Sequence, residues 1–218
     1  MKRDALIAKL AEAGIVVGNS HFVYAKGADG GDHGSAYVAK ELVTLDPTLA
    51  SLVGNEMAIM IYHHCHEIGI DDIDIVAPVA GAVVLGQWAA YHFIGLGMRA
   101  RSFYADKADG GGFTIRPIYA DKLAGRDVVV VEDILNSGGS AAETVKAVSA
   151  VDGKVILVCA MCNRGGVTAE MLGVPHLASI MDVSMEKFPA KSCPLCRDDV
   201  PIDTRLGHGK QFLANQAK

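Results

Sequence analysis

The stretch that constrains the fold most is residues 128–140, which read VVVVEDILNSGGS. Four consecutive valines predict a strand that is buried on both faces, because a half-exposed strand would alternate polar and apolar residues. Such strands occupy the centre of parallel sheets. The residues from Ala141 onward have helical composition and spacing. The stretch therefore predicts a central strand, a tight turn and a helix.

The predicted turn has the composition of a phosphate site. Gly138 and Gly139 allow a tight turn whose N–H groups point inward, and the following helix contributes free amides and the positive end of its dipole. The side chains of Asn136, Ser137 and Ser140 add donors. We expect this turn to bind one phosphate group.

Two acids, Glu132 and Asp133, come directly before the turn. Carboxylates are strong acceptors for the hydroxyls of a vicinal diol and for magnesium-bound water. A sugar bound beside the phosphate would present such hydroxyls to them. The implied ligand is a ribose phosphorylated at its 5-position.

The order of residue types in this stretch is an apolar run, two acids, two apolar residues, one variable residue, Ser, Gly-Gly and Ser. It resembles the phosphoribosyl pyrophosphate (PRPP) signature of type I phosphoribosyltransferases, and among these it is most similar to the orotate phosphoribosyltransferases. A dinucleotide-binding fold is disfavoured because G-x-G-x-x-G is absent at this turn, and a nucleotide-triphosphate loop because no Gly-Lys-Ser/Thr follows.

The resemblance implies an enzyme, a pentosyltransferase that moves ribose 5-phosphate from PRPP to a nucleobase nitrogen and releases pyrophosphate. The orotate type makes orotidine 5'-monophosphate in pyrimidine nucleotide synthesis. Magnesium would be carried mainly by PRPP, and we assign no side chain as a metal ligand. The resemblance also implies a homodimer. The PRPP-binding residues that it implies are Glu132, Asp133, Asn136, Ser137, Gly138, Gly139, Ser140, Ala80 and Gly81, with Asp133 also counted as catalytic.

A second strand and turn precede this stretch. Residues 74–78 predict the first core strand, and the small residues Ala80, Gly81 and Ala82 lead into a helix. Small residues suit a contact made by the backbone alone, at a second helix N-terminus that binds an anion. In the resembling family this loop holds pyrophosphate. Orotate enzymes commonly carry an aromatic-Lys pair here, and this chain has no lysine in the loop.

Residues 105–113 contain three consecutive glycines and predict a mobile loop between a strand at residues 99–104 and the return strand of a hairpin at residues 113–117. The family keeps its catalytic loop at this position, and Lys107 matches its lysine. The family's further basic residues and histidine are missing, since Asp109 stands near the histidine position and Arg99 and Arg101 lie upstream. Two alternatives therefore stay open: a phosphoribosyltransferase for a purine or another base, and a non-catalytic regulator that senses PRPP.

Arg164 is the leading candidate for binding the base. It follows the predicted strand 155–162 in a segment that resembles the family's Asp-Arg-x-x-Gly, with Asn163 in place of the aspartate. An arginine can bind a carboxylate such as that of orotate through two hydrogen bonds. Lys26 matches a lysine that contacts substrate in the family. The glycine-flanked His33 is expected to be exposed.

The chain has five cysteines, and two Cys-x-x-Cys pairs stand out, Cys159/Cys162 and Cys193/Cys196. An odd count argues against a disulfide framework. The second pair, Cys-Pro-x-Cys, has the shape of a zinc knuckle. It could form a four-cysteine site, a knuckle completed by His208 or by a symmetry mate, or free thiols. Cys159 and Cys162 are poor candidates for the other two ligands of a four-cysteine site, because their sulfurs should leave a strand on opposite faces.

The composition favours a protein that acts on small molecules. A formal charge of −5 over 218 residues provides no basic field for nucleic acid, and no apolar run approaches the roughly 18 residues of a membrane span. The N-terminus lacks an apolar signal segment, so we expect a cytoplasmic protein. The predicted fold is α/β, a doubly wound and mostly parallel sheet in one domain. Its core covers about residues 48–182, and a small hood is built from about residues 1–47 and 183–218.

Overall fold

A computed structural model describes residues 2–24 and 31–216 of the chain. The helices are α1 (Arg3–Glu12), α2 (Glu41–Leu45), α3 (Pro47–Glu67), α4 (Gly81–Gly95), α5 (Pro117–Leu123), α6 (Gly139–Ser149), α7 (Ala169–Leu172), α8 (Pro194–Arg197) and α9 (Gly209–Gln216). The strands are β1 (Val16–Val17), β2 (Phe22–Val23), β3 (Asp32–Gly34), β4 (Tyr37–Val38), β5 (Asp72–Pro78), β6 (Arg99–Lys107), β7 (Phe113–Thr114), β8 (Asp127–Leu135), β9 (Lys154–Asn163), β10 (Leu177–Asp182) and β11 (Phe188–Pro189). Within the described residues, no helix has both the length and the apolar character that crossing a bilayer requires.

The chain divides into two compact units. The core unit comprises Met1–Ala8 and Val43–Val183, and the small unit comprises Lys9–Leu42 and Ser184–Lys218. The core unit holds a six-stranded sheet in the order β10-β9-β8-β5-β6-β7. All neighbouring strands are parallel except β7, which pairs antiparallel with β6. The predicted doubly wound, mostly parallel sheet is confirmed.

The strand order reverses between β5 and β8, which are neighbours in the sheet. From β5 the chain moves outward to β6, whereas from β8 it moves the other way to β9 and β10. Loops that leave such a pair diverge to opposite faces and open a crevice at the carboxyl ends of the strands, where ligands of α/β sheets bind. This reversal selects one edge of the sheet as the place for a site.

Helices cover both faces of the sheet, as the uninterrupted apolar strands require. On one face, Gly86 of α4 lies so close to β5 that a Cβ added there would be 3.1 Å from the Cβ of Ala77. On the other face, Val76 of β5 belongs to a buried cluster with Phe103 of β6 and Val148 of α6. Adjacent β5 side chains thus face different helical layers, which holds the central strands rigid.

The predicted hairpin forms, but its first strand extends further than expected, into the segment predicted as a mobile loop. Strand β6 continues through Lys107, and Lys107 and Asp106 pair with Phe113 and Thr114 of β7. The expectation of a loop beginning at Ala105 is therefore wrong. The glycines lie in the turn of the hairpin, where Gly111 and Gly112 adopt positive φ. Backbone pairing on either side of that turn overrides the composition.

Two further helices were missed in the sequence. Helix α5 begins with Pro117, whose fixed φ suits the first helical position. Helix α9 lies in the mostly polar segment after Gly207. Both helices are short and lack a strong apolar period, which is the signal that sequence analysis uses.

The small unit contains two antiparallel sheets. One pairs β1 with β4, and the other has β3 between β2 and β11. Strand β3 thus pairs with β2 from the first part of the chain and with β11 from the last part. The placement of these terminal segments as a hood over the large sheet stays a prediction.

Buried charge at the amino ends of the central strands is neutralised by arginines. Asp74 of β5 is fully buried and accepts two hydrogen bonds from Arg101 at 2.7 and 2.6 Å and one from Arg126 at 3.3 Å. Arg126 also pairs with Asp72, at 2.5 Å. This hydrogen bond holds the pKa of the Asp72 carboxyl below its usual value. Arg99 pairs more openly with Asp71.

Replacing Arg126 with Met is expected to lower the free energy of unfolding by about 1–3 kcal/mol, less than the full cost of orphaning a buried charge because Arg101 still pairs with Asp74. Arg99→Met is the matched control, because the exposed pair of Arg99 with Asp71 and its longer 3.6 Å pair with Asp72 should together contribute below about 1 kcal/mol. The pKa of Asp72 is depressed on folding, so this stabilisation is complete above its usual 3.8 and is lost as the pH falls through the folded value. Urea denaturation of both variants at neutral and acidic pH measures this. Equal losses for the two variants would contradict the assignment.

Candidate active site

The turn between β8 and α6, residues 136–138, is called the phosphate turn below after its predicted ligand. It has the predicted strand–turn–helix form. Strand β8 ends at Leu135, and α6 begins at Gly139. Gly138 between them has φ 78°, in the left-handed region. A Cβ at Gly138 would lie 2.9 Å from Leu172 and 3.0 Å from Val167, so both its conformation and its surroundings require glycine.

The first turn of α6 presents free backbone donors. Gly138 is the cap residue and has no side chain to accept hydrogen bonds from the first amides of the helix. The dipole of the 11-residue helix adds positive potential at the same end. A cavity of about 70 Å³ opens in front of these amides and has room for one compact group. It is lined by Glu132, Ile134, Leu135, Asn136, Ser137, Gly138, Gly139, Ser140 and Ala141.

A polar atom of this turn also points to a ligand. The side-chain oxygen of Asn136 is buried and has no hydrogen-bond partner within the described part of the chain. A buried amide without a partner costs about 1–3 kcal/mol, and its two ends offer either an acceptor or donors. A polar ligand in the cavity would remove that cost.

The two acids are buried at the end of β8, with Glu132 4 % and Asp133 5 % exposed. Successive strand residues point to opposite faces, so the two carboxylates leave the strand on different sides. Glu132 lines the cavity of the phosphate turn. Asp133 accepts a hydrogen bond from the backbone N–H of Ile134 at 2.6 Å. Their joint role in holding ribose hydroxyls stays a prediction.

The loop after β9 packs directly on the phosphate turn. The backbone N–H groups of Arg164 and Gly165 both donate to the carbonyl of Leu135, at 3.0 and 3.1 Å. A Cβ at Gly165 would lie 1.5 Å from the carbonyl oxygen of Asn136. Only glycine permits this approach, which brings the Arg164 backbone beside the turn. Sequence analysis missed Gly165, although its position directly after the candidate arginine was a usable signal.

Asn163 organises the same loop. Its side-chain amide donates to the carbonyl of Val167 at 2.8 Å, and its side-chain oxygen accepts from the Val167 N–H at 3.0 Å. An ionised aspartate, the residue of the resembling family, would accept but not donate here. The departure from the family pattern therefore closes this turn, and Val167 in turn borders Gly138.

The other predicted residues of the core unit lie at the same edge of the sheet. Ala80 caps α4 and Gly81 begins it, directly beyond the carboxyl end of β5. Pro78 at the end of β5 is in register with Ala105 of β6, and exposed Lys107 follows two residues later. Because β5, β6, β8 and β9 are parallel, their carboxyl ends share one edge. The crevice predicted by the strand reversal is thus bordered by residues from four strand ends.

Comparisons with known proteins agree with this geometry. The orotate phosphoribosyltransferase of Caldicellulosiruptor bescii is 29 % identical over 207 residues, which cover 93 % of this chain and 96 % of that protein. The crystal structure of orotate phosphoribosyltransferase from Aeropyrum pernix matches with a TM-score of 0.55 and 18 % identity, over 81 % of this chain and 93 % of that one. The chain has the fold of the type I phosphoribosyltransferases. Its sequence resembles the orotate enzymes of that fold.

A second solved structure supports the same fold. The orotate phosphoribosyltransferase of Mycobacterium tuberculosis, determined in complex with inorganic phosphate, has a TM-score of 0.56 and 21 % identity over 83 % of this chain and 87 % of that one. A scan against models of protein families finds no match. The phosphoribosyltransferase fold therefore rests on whole-chain similarity and on the architecture.

Some residues considered in the sequence lie away from this edge. Arg101 is bound to Asp74 at the amino ends of the strands, so it lies away from the predicted mobile loop and does not replace the basic residues that this loop lacks. Lys26 lies outside the described residues. Burial raises the pKa of Cys159 to about 12 and that of Cys162 to about 11, so both are neutral thiols at physiological pH.

A larger open groove of about 490 Å³ lies along edge strand β10 and shares no lining residue with the phosphate turn. Its lining includes Arg3, His176 and Asp182. In a doubly wound fold the ligand site is expected where the strand order reverses, not at an outer strand. The smaller cavity is therefore the candidate site, because it lies at the N-terminus of α6 beside the strand reversal.

Proposed function

We propose that this protein is an orotate phosphoribosyltransferase, which transfers ribose 5-phosphate from PRPP to a ring nitrogen of orotate and releases pyrophosphate. The observation that carries the proposal is the phosphate turn, with its glycine-capped helix N-terminus and buried acids, at the strand reversal of a type I phosphoribosyltransferase fold. Similarity to a named orotate enzyme over 93 % of the chain supports the choice of base.

The phosphate turn would anchor the donor. Backbone amides at the start of α6 and the hydroxyls of Ser137 and Ser140 would bind the 5-phosphate. Glu132 and Asp133 would accept hydrogen bonds from the ribose hydroxyls and so fix the position of C1 against the incoming base. Holding two reactants in a productive geometry removes much of the entropic part of the barrier.

The main chemical difficulty is charge, because cleavage at C1 leaves an electron-poor sugar and a polyanionic leaving group. The amides at Ala80 and Gly81 and the ammonium group of Lys107 would stabilise the pyrophosphate as it leaves. The carboxylate oxygens of Glu132 and Asp133 fit the preference of magnesium for hard oxygen ligands. Magnesium that arrives with PRPP would neutralise part of the phosphate charge.

Arg164 would bind the carboxylate of orotate at the carboxyl end of β9. Its backbone is tied to the phosphate turn through the carbonyl of Leu135, so base and donor sites would share one rigid support. Lys26 would contribute a second positive charge to the base. The buried cysteines of β9 are protonated and enclosed, so no thiol of that strand is assigned a covalent role.

We further propose that the enzyme acts in the cytoplasm as a homodimer with the terminal segments forming a hood. The resemblance to the family supports these three points. Light scattering during gel filtration measures the oligomeric state.

The function is tested by measuring pyrophosphate release from PRPP and magnesium with a panel of bases. We expect release with orotate and little with hypoxanthine, adenine or uracil, which lack a carboxylate. If pyrophosphate were released with a purine and not with orotate, the substrate would be the purine and the choice of orotate would be wrong. A purified protein that binds PRPP but releases nothing with any base would be a PRPP-sensing regulator, and the proposal would fail.

Replacing Arg164 with Gln is expected to raise the KM for orotate about 10- to 100-fold, because a hydrogen bond to a charged group contributes about 1.5–3 kcal/mol. The Kd for PRPP should stay unchanged, since the loop backbone is retained. Arg99→Gln, at the opposite end of the strands, is the matched control and should leave both constants unchanged. An Arg164→Gln enzyme with a normal KM for orotate would remove this residue from the base site.

A further inference from the structure

Four metal-ligating side chains converge inside the small unit. They are His21, His33, Cys193 and Cys196, and one ligand atom from each lies within 4.8 Å of all the others. Three separate segments supply them. His21 directly precedes β2, His33 is the middle residue of β3, and Cys193 and Cys196 are the cap residue and the third residue of α8. Within residues 2–24 and 31–216, this is the one group of three or more such side chains.

The distances fit one tetrahedral ion. Nε2 of His21 lies 2.8 Å from Nδ1 of His33, and the Sγ of Cys196 lies 3.7 and 3.2 Å from these two atoms. The Sγ of Cys193 is 3.7 Å from the same His21 nitrogen. Zinc held at about 2.0–2.1 Å from nitrogen and about 2.3 Å from sulfur separates its ligands by about 3.3–3.8 Å. The thiol-to-histidine distances already lie at or near that range, and the two nitrogens need to part by about half an ångström.

The His21 ring is oriented as a metal ligand. Its Nδ1 lies 2.7 Å from the carbonyl oxygen of Val200, which can only accept a hydrogen bond. The proton of the neutral ring is therefore on Nδ1, and the lone pair on Nε2 faces the other three side chains. Metal-bound histidines almost always donate their second N–H to such an outer acceptor.

The His33 ring is also fixed, and its burial corrects the sequence interpretation. It was expected to be exposed, but it is 0 % exposed in the centre of the β2-β3-β11 sheet. Its pairing positions are Val23 and Phe188, on strands from opposite parts of the chain. Phe212 packs edge-on against it at 4.7 Å between ring centroids. Gly34, which follows His33, allows a close backbone approach, because a Cβ there would lie 2.7 Å from the Glu186 carbonyl oxygen.

The surroundings favour a structural metal over a reactive thiol. Cys193 is 3 % exposed, His21 is 1 % exposed and His33 is 0 % exposed, so both rings and one thiol are closed to a substrate, and Cys196 is only partly exposed. Four protein ligands also leave no open position on a tetrahedral ion, which is the mark of a structural site. Two nitrogen and two thiolate ligands select zinc among the common divalent ions. A small unit with short strands has little apolar core to hold it, so a metal would supply stability.

We propose that His21, His33, Cys193 and Cys196 bind one structural zinc ion. The ion joins the β2-β3 hairpin to the α8 turn and stabilises the small unit. The knuckle anticipated in Cys193 and Cys196 is thereby completed by two histidines of the same chain. His208, the partner considered from the sequence, is exposed and lies outside the cluster. The proposal does not depend on the proposed transferase activity.

The first test is the zinc content of protein purified without chelators, measured by elemental analysis. We expect one zinc ion per chain in the wild type, and loss of the ion in His33→Ala and Cys196→Ser. His208→Ala is the matched control and should keep the ion. Wild-type protein without zinc would overturn the proposal. Full zinc content in both ligand variants would also overturn it, because the ion would then be bound elsewhere.

A second test does not need the variants to fold. Wild-type protein depleted of zinc and loaded with cobalt(II) should show the strong visible bands of tetrahedral coordination and a near-ultraviolet thiolate charge-transfer band. Added zinc should remove both. The weak spectrum of octahedral cobalt, or a Cys193–Cys196 disulfide found by mass spectrometry in freshly purified protein, would contradict a zinc site.

Discussion

Replacing Asp133 with Asn is expected to weaken PRPP binding about 10- to 150-fold, because a hydrogen bond to a charged acceptor contributes about 1.5–3 kcal/mol. The carboxylate is 5 % exposed, so bulk water does not compensate for the lost charge. The amide keeps the shape of the side chain but replaces one acceptor oxygen with a donor. Isothermal titration with PRPP and magnesium measures the loss.

Two companion variants make this result specific. Glu132→Gln changes the acid that lines the phosphate cavity and should weaken PRPP binding by a similar factor. Asp127→Asn makes the same chemical change at the amino end of the same strand, so it should bind PRPP as the wild type does. Unchanged affinity in both Asp133→Asn and Glu132→Gln would show that the acids do not hold the sugar, and the PRPP site would be lost with them.

Replacing Gly165 with Ala is expected to damage the site without touching a proposed ligand-binding side chain. The new Cβ would lie 1.5 Å from the Asn136 carbonyl oxygen, so the phosphate turn and the Arg164 loop must separate. Overpacking costs about 1–3 kcal/mol where side chains can yield, and here the obstacle is backbone. We expect the free energy of unfolding to fall by about 3 kcal/mol or more, together with a large loss of PRPP affinity.

Gly95→Ala is the control for this substitution, because a Cβ at the end of α4 would meet nothing within 4 Å. It should leave PRPP affinity unchanged and should not lower the free energy of unfolding, which could rise by up to about 1 kcal/mol because Ala is the better helix former. Denaturant unfolding and titration with PRPP measure the two quantities on the same preparations. A Gly165→Ala protein that is stable and binds PRPP normally would show that the two loops are not in the contact described.

The features predicted correctly were those that local sequence determines. The valines of β8 require burial on both faces, and the glycines after them allow the turn, so strand, turn and helix could be placed without knowing the rest of the chain. Asp46 followed by Pro47 likewise marks the start of α3, and Asp46 accepts hydrogen bonds from the first amides of that helix.

The features missed depend on contacts between distant residues. The importance of Gly165 appears only when the β9 loop is laid against Asn136. The extension of β6 through Lys107 appears only when β7 pairs with it. His33 was assigned to the surface because its neighbours in sequence are polar and glycine-rich, whereas its burial comes from strands on either side of it. Spacing along one segment carries no information about such pairings.

The zinc ligands also set an order of events for a chain leaving the ribosome. His21 and Cys193 are 172 positions apart, and the whole six-stranded sheet is encoded between them. That sheet can pack as soon as its own residues have emerged, since domains fold as units during synthesis. Strand β3 can pair with β11, and the two histidines can meet the two thiols, only after these later residues have also emerged. A nascent chain in which the sheet strands have emerged but Cys193 has not would therefore carry a folded sheet and an N-terminal segment that zinc cannot yet bind.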